Sequence, residues 1–348
     1  MSPSSDFKGI KIFDDTTDNM NIIKSLIDIE EREAGFYIMD IGDIINKHRE
    51  WITKIPRVVP HYAVKCNPDP NIIKLLVALN TSFDCASEQE IRQVMQYGVQ
   101  ADRIIFANPY KCPSHIKYAK KMNVSQMTAD CELELLKIKE FYPEAKIIIR
   151  IRCDSKNSEC DLGLKFGCEP DEEAVRLIRL TLDLGLTLHG FSFHVGSPCG
   201  ELYSYSRGIG ICRRLIIIAK SMGCKDVQLI DIGGGIPGEK GTNIDKPVND
   251  EKFISTLWGP TCDSMDVIVK DVLMPELHIG DWLVWEDVGA YTLCMATTFN
   301  GFPTPAVIPI VRKSQWKSLM TDIEMLQKPK ELIQWSKSMK REDYIESR

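Results

Sequence analysis

Between residues 62 and 235 the chain alternates short, almost wholly apolar runs with longer amphipathic stretches, and few folds accept that rhythm. The runs are YAVKC (62–66), SFDCA (82–86), RIIFA (103–107), QMTAD (126–130), KIIIRIR (146–152), HGFSFHVG (189–196) and VQLIDIGGG (227–235). Helical patterns lie between them at 71–78, 88–97, 113–122, 132–141, 171–184 and 204–222. Strands alternating with helices read as βα units on a parallel sheet. Continuous apolar runs are what strands covered on both faces require. Seven units are present, whereas a closed βα barrel takes eight strands.

After Gly238 the rhythm stops, and GEKGTNIDKPVNDEK (238–252) is polar and turn-rich. Beyond it, ELHIGDWLVWEDVGAYT (276–292) and PAVIPIV (305–311) carry antiparallel β signals. Ahead of the units, residues 20–34 read as a helix and FYIMDI (36–41) as a strand. The tail from Arg312 is charged and amphipathic, and reads as helical or loose.

Composition excludes several classes. The net charge of −6 and the lack of a long basic run weigh against a nucleic-acid partner. No apolar stretch reaches the length of a membrane span. The polar, acidic N-terminus lacks the apolar core of a signal peptide. The twelve cysteines form no Cys-x-x-Cys pair and no cysteine–histidine cluster of zinc spacing, so no metal is expected. A reduced, cytoplasmic protein is the expectation, with most cysteines serving as small buried hydrophobes.

In a βα barrel, reactive groups sit at the C-terminal ends of the strands. Lys65 ends the first run; an apolar setting there would lower its pKa and let it condense with a carbonyl cofactor, while the plain alternative is a lysine snorkelling outward. Asp84 and Glu90 follow the second run. A carboxylate there could hold a pyridine nitrogen protonated, and Ser87 with Glu90 also spells a capping box for the next helix. Arg150 lies inside an apolar run, which is costly unless it meets an anion. His194 and Ser197 end the sixth run; the histidine could stack on an aromatic cofactor or simply be a satisfied core residue. Gly233, Gly234 and Gly235 end the seventh, where bare backbone could cradle a phosphate or merely turn. A lysine, a carboxylate, a histidine and a glycine cradle on successive strand ends together point to pyridoxal phosphate.

The strings YAVKCNPDP, FDCASEQEI, FANPYK, HGFSFHVGS, LIDIGGGIPG, WGPTCDSMD and GDWLVWEDVGAYT resemble the eukaryotic ornithine decarboxylase family of fold-type III, which includes the antizyme inhibitors. The resemblance runs from about residue 36 to 302. It implies an alanine-racemase-like βα (TIM-type) barrel over 47–250 that lacks its eighth strand. It further implies a truncated antiparallel β domain over 251–312, an N-terminal segment 1–46 lending that domain a strand, and a charged tail over 313–348. The implied reaction is decarboxylation of L-ornithine to putrescine, in polyamine biosynthesis, with pyridoxal 5'-phosphate carried on Lys65. Glu90 would face the pyridine nitrogen, with Asp84 and Arg150 in support, and His194 would stack on the ring. Ser197, the three glycines and Tyr291 would hold the phosphate. Cys262 would return a proton, Asp263 would bind the distal amine, and Phe299 would flank the substrate. Cys262 and Asp263 would come from the second copy of a homodimer. The segment 113–142, with Lys117, Lys120, Lys121 and Lys137, resembles an antizyme-binding element. Two departures stand out. The strand carrying a phosphate-gripping arginine, and the β strands after it, are missing beyond Gly238; Val248, Asn249 and Asp250 are all that resembles them. Ile236 also stands where the family has an aromatic.

Overall fold

The computed structural model describes residues 7, 9–155, 158–160, 162–236, 238 and 252–327. The chain opens with β1 (Lys11–Phe13), α1 (Asn19–Glu30), β2 (Phe36–Asp40) and α2 (Ile41–Lys54). The alternating region follows as β3 (His61–Ala63), α3 (Pro70–Ala78), β4 (Ser82–Cys85), α4 (Glu88–Met95), β5 (Ile104–Phe106), α5 (Pro113–Lys121), β6 (Gln126–Ala129), α6 (Glu132–Phe141) and β7 (Lys146–Arg150). It continues through β8 (Ser158–Cys160), α7 (Glu172–Asp183), β9 (Thr187–Ser192), β10 (Ser197–Cys199), α8 (Tyr203–Ser221) and β11 (Leu229–Asp231). The last elements are β12 (Lys252–Trp258), β13 (Val267–Pro275), β14 (Ala306–Arg312) and α9 (Lys313–Gln327).

All seven expected strands join one parallel sheet in the order β3-β4-β5-β6-β7-β9-β11. From β4 to β9 the apolar runs are buried, including Phe83, Ile104, Phe106, Met127, Ile147, Ile149 and Phe191, so the middle of the sheet is covered on both faces, while β3 and β11 are half-buried. The helices start where short polar side chains satisfy free N–H groups. Asp69 caps α3, whose first residue is Pro70; Ser87 caps α4; Asp171 caps α7. The sheet curls as a partial barrel. Among the described residues β3 and β11 remain its two unpaired edges. The expected gap at the eighth strand, with Val248, Asn249 and Asp250, lies outside the described residues.

The C-terminal β region departs from the reading of its sequence. Residues 276–292 contain no strand and are largely exposed. Alternation alone makes no strand where no neighbour supplies ladder hydrogen bonds. Residues 305–311 do form a strand, but β14 pairs in parallel, between β1 and β2. The antiparallel pair is instead β12 with β13, a hairpin that the sequence did not single out. Helix α2, unexpected from the sequence, begins at Asp40, whose carboxylate accepts from the Gly42 and Asp43 N–H groups. The first part of the tail is helix α9. It buries Leu319 and Ile323, sets Trp316 edge-on to Phe7, and joins α2 through Arg49 and Asp322.

Candidate active site

Lys65 lies not in a strand but in the 3-10 turn Val64–Cys66 just past β3. Its Nζ donates to Asp84 Oδ2 at 2.8 Å, because β3 and β4 run side by side with Ala63 opposite Asp84. The side chain is 43% exposed. The expected lowering of its pKa does not hold. Burial pulls the amine down, but Asp84, Tyr291 and Glu90 outweigh it and leave the pKa raised. Asp84 holds its other oxygen, Oδ1, buried with no hydrogen-bond partner among the described residues.

Glu90 and Ser87 realise the capping box in part, because the Glu90 carboxylate reaches the N–H of Ala86 rather than that of the N-cap Ser87. Ser87 Oγ accepts from the Glu90 N–H at 3.3 Å, while Glu90 Oε2 accepts from the Ala86 N–H at 2.6 Å. Burial raises the Glu90 pKa, and it stays within electrostatic reach of Lys65 and Asp84. A carboxylate that accepts from the chain at the start of α4 thus also lies in the field of Lys65.

Arg150 ends β7 with its guanidinium 4.9 Å from the centre of the Phe166 ring. It makes no ion pair among the described residues. Burial lowers its pKa against the opposing pull of Asp130, Asp231 and Asp84. His194 follows β9, and its Nδ1 accepts from the Gly196 N–H at 3.1 Å. Burial, Arg150 and Lys65 push its pKa down to about 4.

The sign of that shift makes a prediction. Above pH 6.5 the ring is neutral whether the chain is folded or not. Between 6.5 and about 4 the unfolded chain takes up a proton that the folded one refuses, so stability falls as pH drops. The slope is at most about 1.4 kcal/mol per pH unit. Denaturant titrations from pH 7 to 4 should show this loss, and His194→Gln should flatten that component.

The three glycines turn just beyond β11. Gly233 and Gly235 have φ of +68° and +84°, in the left-handed region. A Cβ on Gly233 would stand 2.4 Å from the Phe193 carbonyl oxygen, and one on Gly235 would stand 2.0 Å from that of Gly196. No side chain fits at either. The turn is held by the Gly233 N–H on Asp231 Oδ1, by Tyr205 Oη on the Gly234 carbonyl, and by the Cys199 N–H on the Gly235 carbonyl. The last of these ties it to β10, the strand that carries Ser197.

Tyr291 reaches this group from far along the chain. Its N–H donates to the Cys66 carbonyl at 2.8 Å, and the Asn67 side chain holds the Gly289 carbonyl. Cys262 and Asp263 lie elsewhere, in the turn of the β12–β13 hairpin. There the Cys262 N–H donates to Asn300 Oδ1 at 2.7 Å, which brings the hairpin turn to the 3-10 turn Phe299–Gly301. Cys262 is exposed and Phe299 half-exposed. The described contacts thus form two groups, one around Lys65 and one around Cys262, Asp263 and Phe299, and none joins them within one copy.

Two acids escaped the sequence reading. Asp130 ends its apolar run, and its Oδ2 accepts from the Gly167 N–H. Asp231 shapes the glycine turn and sits in the electrostatic field of Asp84 and Arg150. Their position at strand C-termini was the available signal.

The pocket residues suit a phosphorylated aldehyde cofactor. There is an amine at a strand end, a carboxylate beside it with a buried unpaired oxygen, an uncharged imidazole, and bare backbone where any Cβ would intrude. Residues 41–265 match the model described as pyridoxal-dependent decarboxylase, pyridoxal binding domain. Ornithine decarboxylase of Caenorhabditis elegans is 32% identical over 384 positions, covering 84% of this chain and 91% of that protein. Antizyme inhibitor 2 of Xenopus laevis is 32% identical, with 86% and 85% covered. The crystal structure of Paramecium bursaria Chlorella virus arginine decarboxylase bound to agmatine superposes with a TM-score of 0.79 at 30% identity, covering 84% of this chain and 100% of that one. With the pyridoxal-binding domain model matched over more than half of the chain and a relative 32% identical over most of both chains, the chain belongs to the pyridoxal-dependent decarboxylases of the ornithine decarboxylase family, and its cofactor is pyridoxal 5'-phosphate.

Proposed function

We propose that this chain carries an ornithine-type decarboxylase site, directed at L-ornithine with putrescine as product, in a form whose turnover is weakened. The observation that carries the reading is the Lys65–Asp84 pair beside the glycine turn. When bound, the cofactor supplies a protonated pyridine ring that accepts the electron pair left as carbon dioxide departs. Lys65 would hold it, and Asp84 is placed to take the proton that the Lys65 ammonium must lose first. Glu90 would face the ring nitrogen. His194, neutral at physiological pH, would pack on the ring without adding charge. Ser197, Gly233, Gly234, Gly235 and Tyr291 would bind the phosphate, with Arg150 in support. Cys262 Sγ would deliver the proton that completes the product, Asp263 would pair with the distal ammonium, and Phe299 would flank it.

The separation of the Cys262 group from Lys65 supports a homodimer in which each copy completes the other's site. The alignment to the worm enzyme spans 384 positions, more than the 348 residues of this chain, so some positions go unfilled here; this supports a missing block. None of the eleven described cysteines forms a disulfide, and no described helix is long and apolar enough to cross a membrane; both suit a cytoplasmic protein. Incubation with pyridoxal 5'-phosphate should give visible absorbance. Borohydride should then fix the cofactor mass on the Lys65 peptide, and Lys65→Ala should lose both. A folded, colourless protein would sink the reading.

A second reading is favoured by the likeness to an antizyme inhibitor: a protein that binds antizyme through 113–142. Lys117, Lys120 and Lys121 are exposed on α5, which suits an acidic partner. Lys120 also pairs with Glu144 at 3.1 Å, and Lys117 lies over the Phe141 ring. Lys137 does not belong to an open cluster. It is held by Glu134 at 2.6 Å and lies over Tyr110. Lys117→Glu with Lys121→Glu should weaken antizyme binding at least tenfold in a titrated pull-down; unchanged affinity removes this reading.

A further inference from the structure

Cys66 and Cys294 are 228 positions apart in sequence and meet beside Lys65. The Cys66 carbonyl accepts two hydrogen bonds from the C-terminal segment: the Tyr291 N–H at 2.8 Å and the Cys294 thiol at 3.4 Å. Asn67 holds the same segment at Gly289, so it is pinned to the Lys65 turn at several points. Cys294 itself sits on a 3-10 turn, Leu293–Met295, which fixes its approach. Both cysteines are half-buried, within reach of a small oxidant and shielded from bulky thiols. A disulfide needs α-carbons roughly 4.4–6.8 Å apart. A sulfur resting on the other cysteine's own carbonyl oxygen is compatible with that spacing. The site described above uses neither thiol.

We propose that Cys66 and Cys294 are a redox modification site, closing to a reversible disulfide with hydrogen peroxide as oxidant and fastening the Tyr291 segment onto the Lys65 turn. In the first step the Cys294 sulfur attacks a peroxide oxygen, the O–O bond breaks, water leaves, and the sulfur becomes a sulfenic acid. The Cys66 sulfur then attacks that sulfur, the S–O bond breaks, and a second water leaves as the S–S bond forms. Two thiols lose two electrons and two protons, and one peroxide becomes two waters. Cys66 is assigned the resolving role: burial pushes its thiol up, which disfavours it as the first nucleophile. In a reducing compartment such a bond is transient, as a sensor requires. Closed, it would remove the freedom of the residue next to the cofactor lysine.

The test needs neither cofactor nor turnover. The full chain is exposed to peroxide, alkylated, and digested without reduction. The expected result is loss of both thiols from the alkylation map and a Cys66–Cys294 linked peptide pair that dithiothreitol dissolves. Cys294→Ala should abolish the pair, and Cys112→Ala, altering an exposed cysteine elsewhere, should keep it. Recovery of Cys66 and Cys294 as free thiols, as sulfinic acids, or linked to other cysteines overturns the proposal.

Discussion

Supplied with pyridoxal 5'-phosphate, the purified chain is expected to release carbon dioxide from ornithine at least about a hundredfold more slowly than the roughly 1–10³ per second usual for enzymes. Three weaknesses act on the proposed composite site. The glycine turn follows β11, an edge of the sheet among the described residues, so nothing described braces its outer side. In the proposed reading, the phosphate-gripping arginine implied by the family resemblance belongs to a block absent beyond Gly238, and without that charge-assisted pair the cofactor is held more loosely. Cys262 and Asp263 ride on a hairpin that, among the described residues, has no third strand, and its Phe253, Ile254, Trp258 and Leu273 are exposed. Such a hairpin is poorly held by itself. A displacement of about 1 Å costs on the order of a hundredfold in rate. Carbon dioxide capture from labelled ornithine measures it, alongside sequencing of the transcript across residues 238–251. A rate in the usual range from a chain with this junction refutes the expectation.

Replacing Glu134 with glutamine should destabilise the fold by about 3–5 kcal/mol, lowering Tm on the order of 10 °C. Lys111 is buried to 1% exposure, with its Nζ 2.8 Å from Glu134 Oε1, 2.6 Å from the Thr128 carbonyl and 3.1 Å from that of Asn108. The other Glu134 oxygen takes Lys137 at 2.6 Å. One carboxylate thus serves two ammonium groups beneath α5 and α6. Burial already drives the Lys111 pKa down, and Glu134 is the main force opposing that. Without the carboxylate, Lys111 must give up its proton or remain an uncompensated buried charge. Calorimetry on Glu134→Gln and on the double variant with Lys111→Met separates the two costs. The double variant should recover much of the loss, because replacing a buried pair with apolar groups is often neutral. A single variant as stable as the parent would show that the pair is not what holds these helices.

The strands of the sheet were legible because their signal is local. The run KIIIRIR states its own burial, and β7 forms there with Ile147, Ile148 and Ile149 fully enclosed. The start of α4 was legible for the same reason, since Ser87 and Glu90 are three residues apart and cap the same turn. Residues 276–292 misled because alternation specifies a strand only when a neighbour completes the ladder, and none is there. Nothing in the sequence singled out Lys111 and Glu134, because their burial depends on a β5 loop meeting α6. The charge state of Lys65 was misjudged from its apolar flanks, because Asp84 arrives from the adjacent strand.

By itself, the sequence determined the number and order of the parallel strands, the cap that opens α4, and the family to which Lys65, His194 and the glycine turn belong. Hydrophobic period and capping chemistry act over a few residues, so a linear string contains them whole. Only the tertiary structure decided that Lys65 stays protonated against Asp84, that the single carboxylate of Glu134 is shared by two lysines, and that Cys294 comes to rest on Cys66. Charge states and contacts of that kind fall off steeply with distance in space, and distance along the chain carries no record of it.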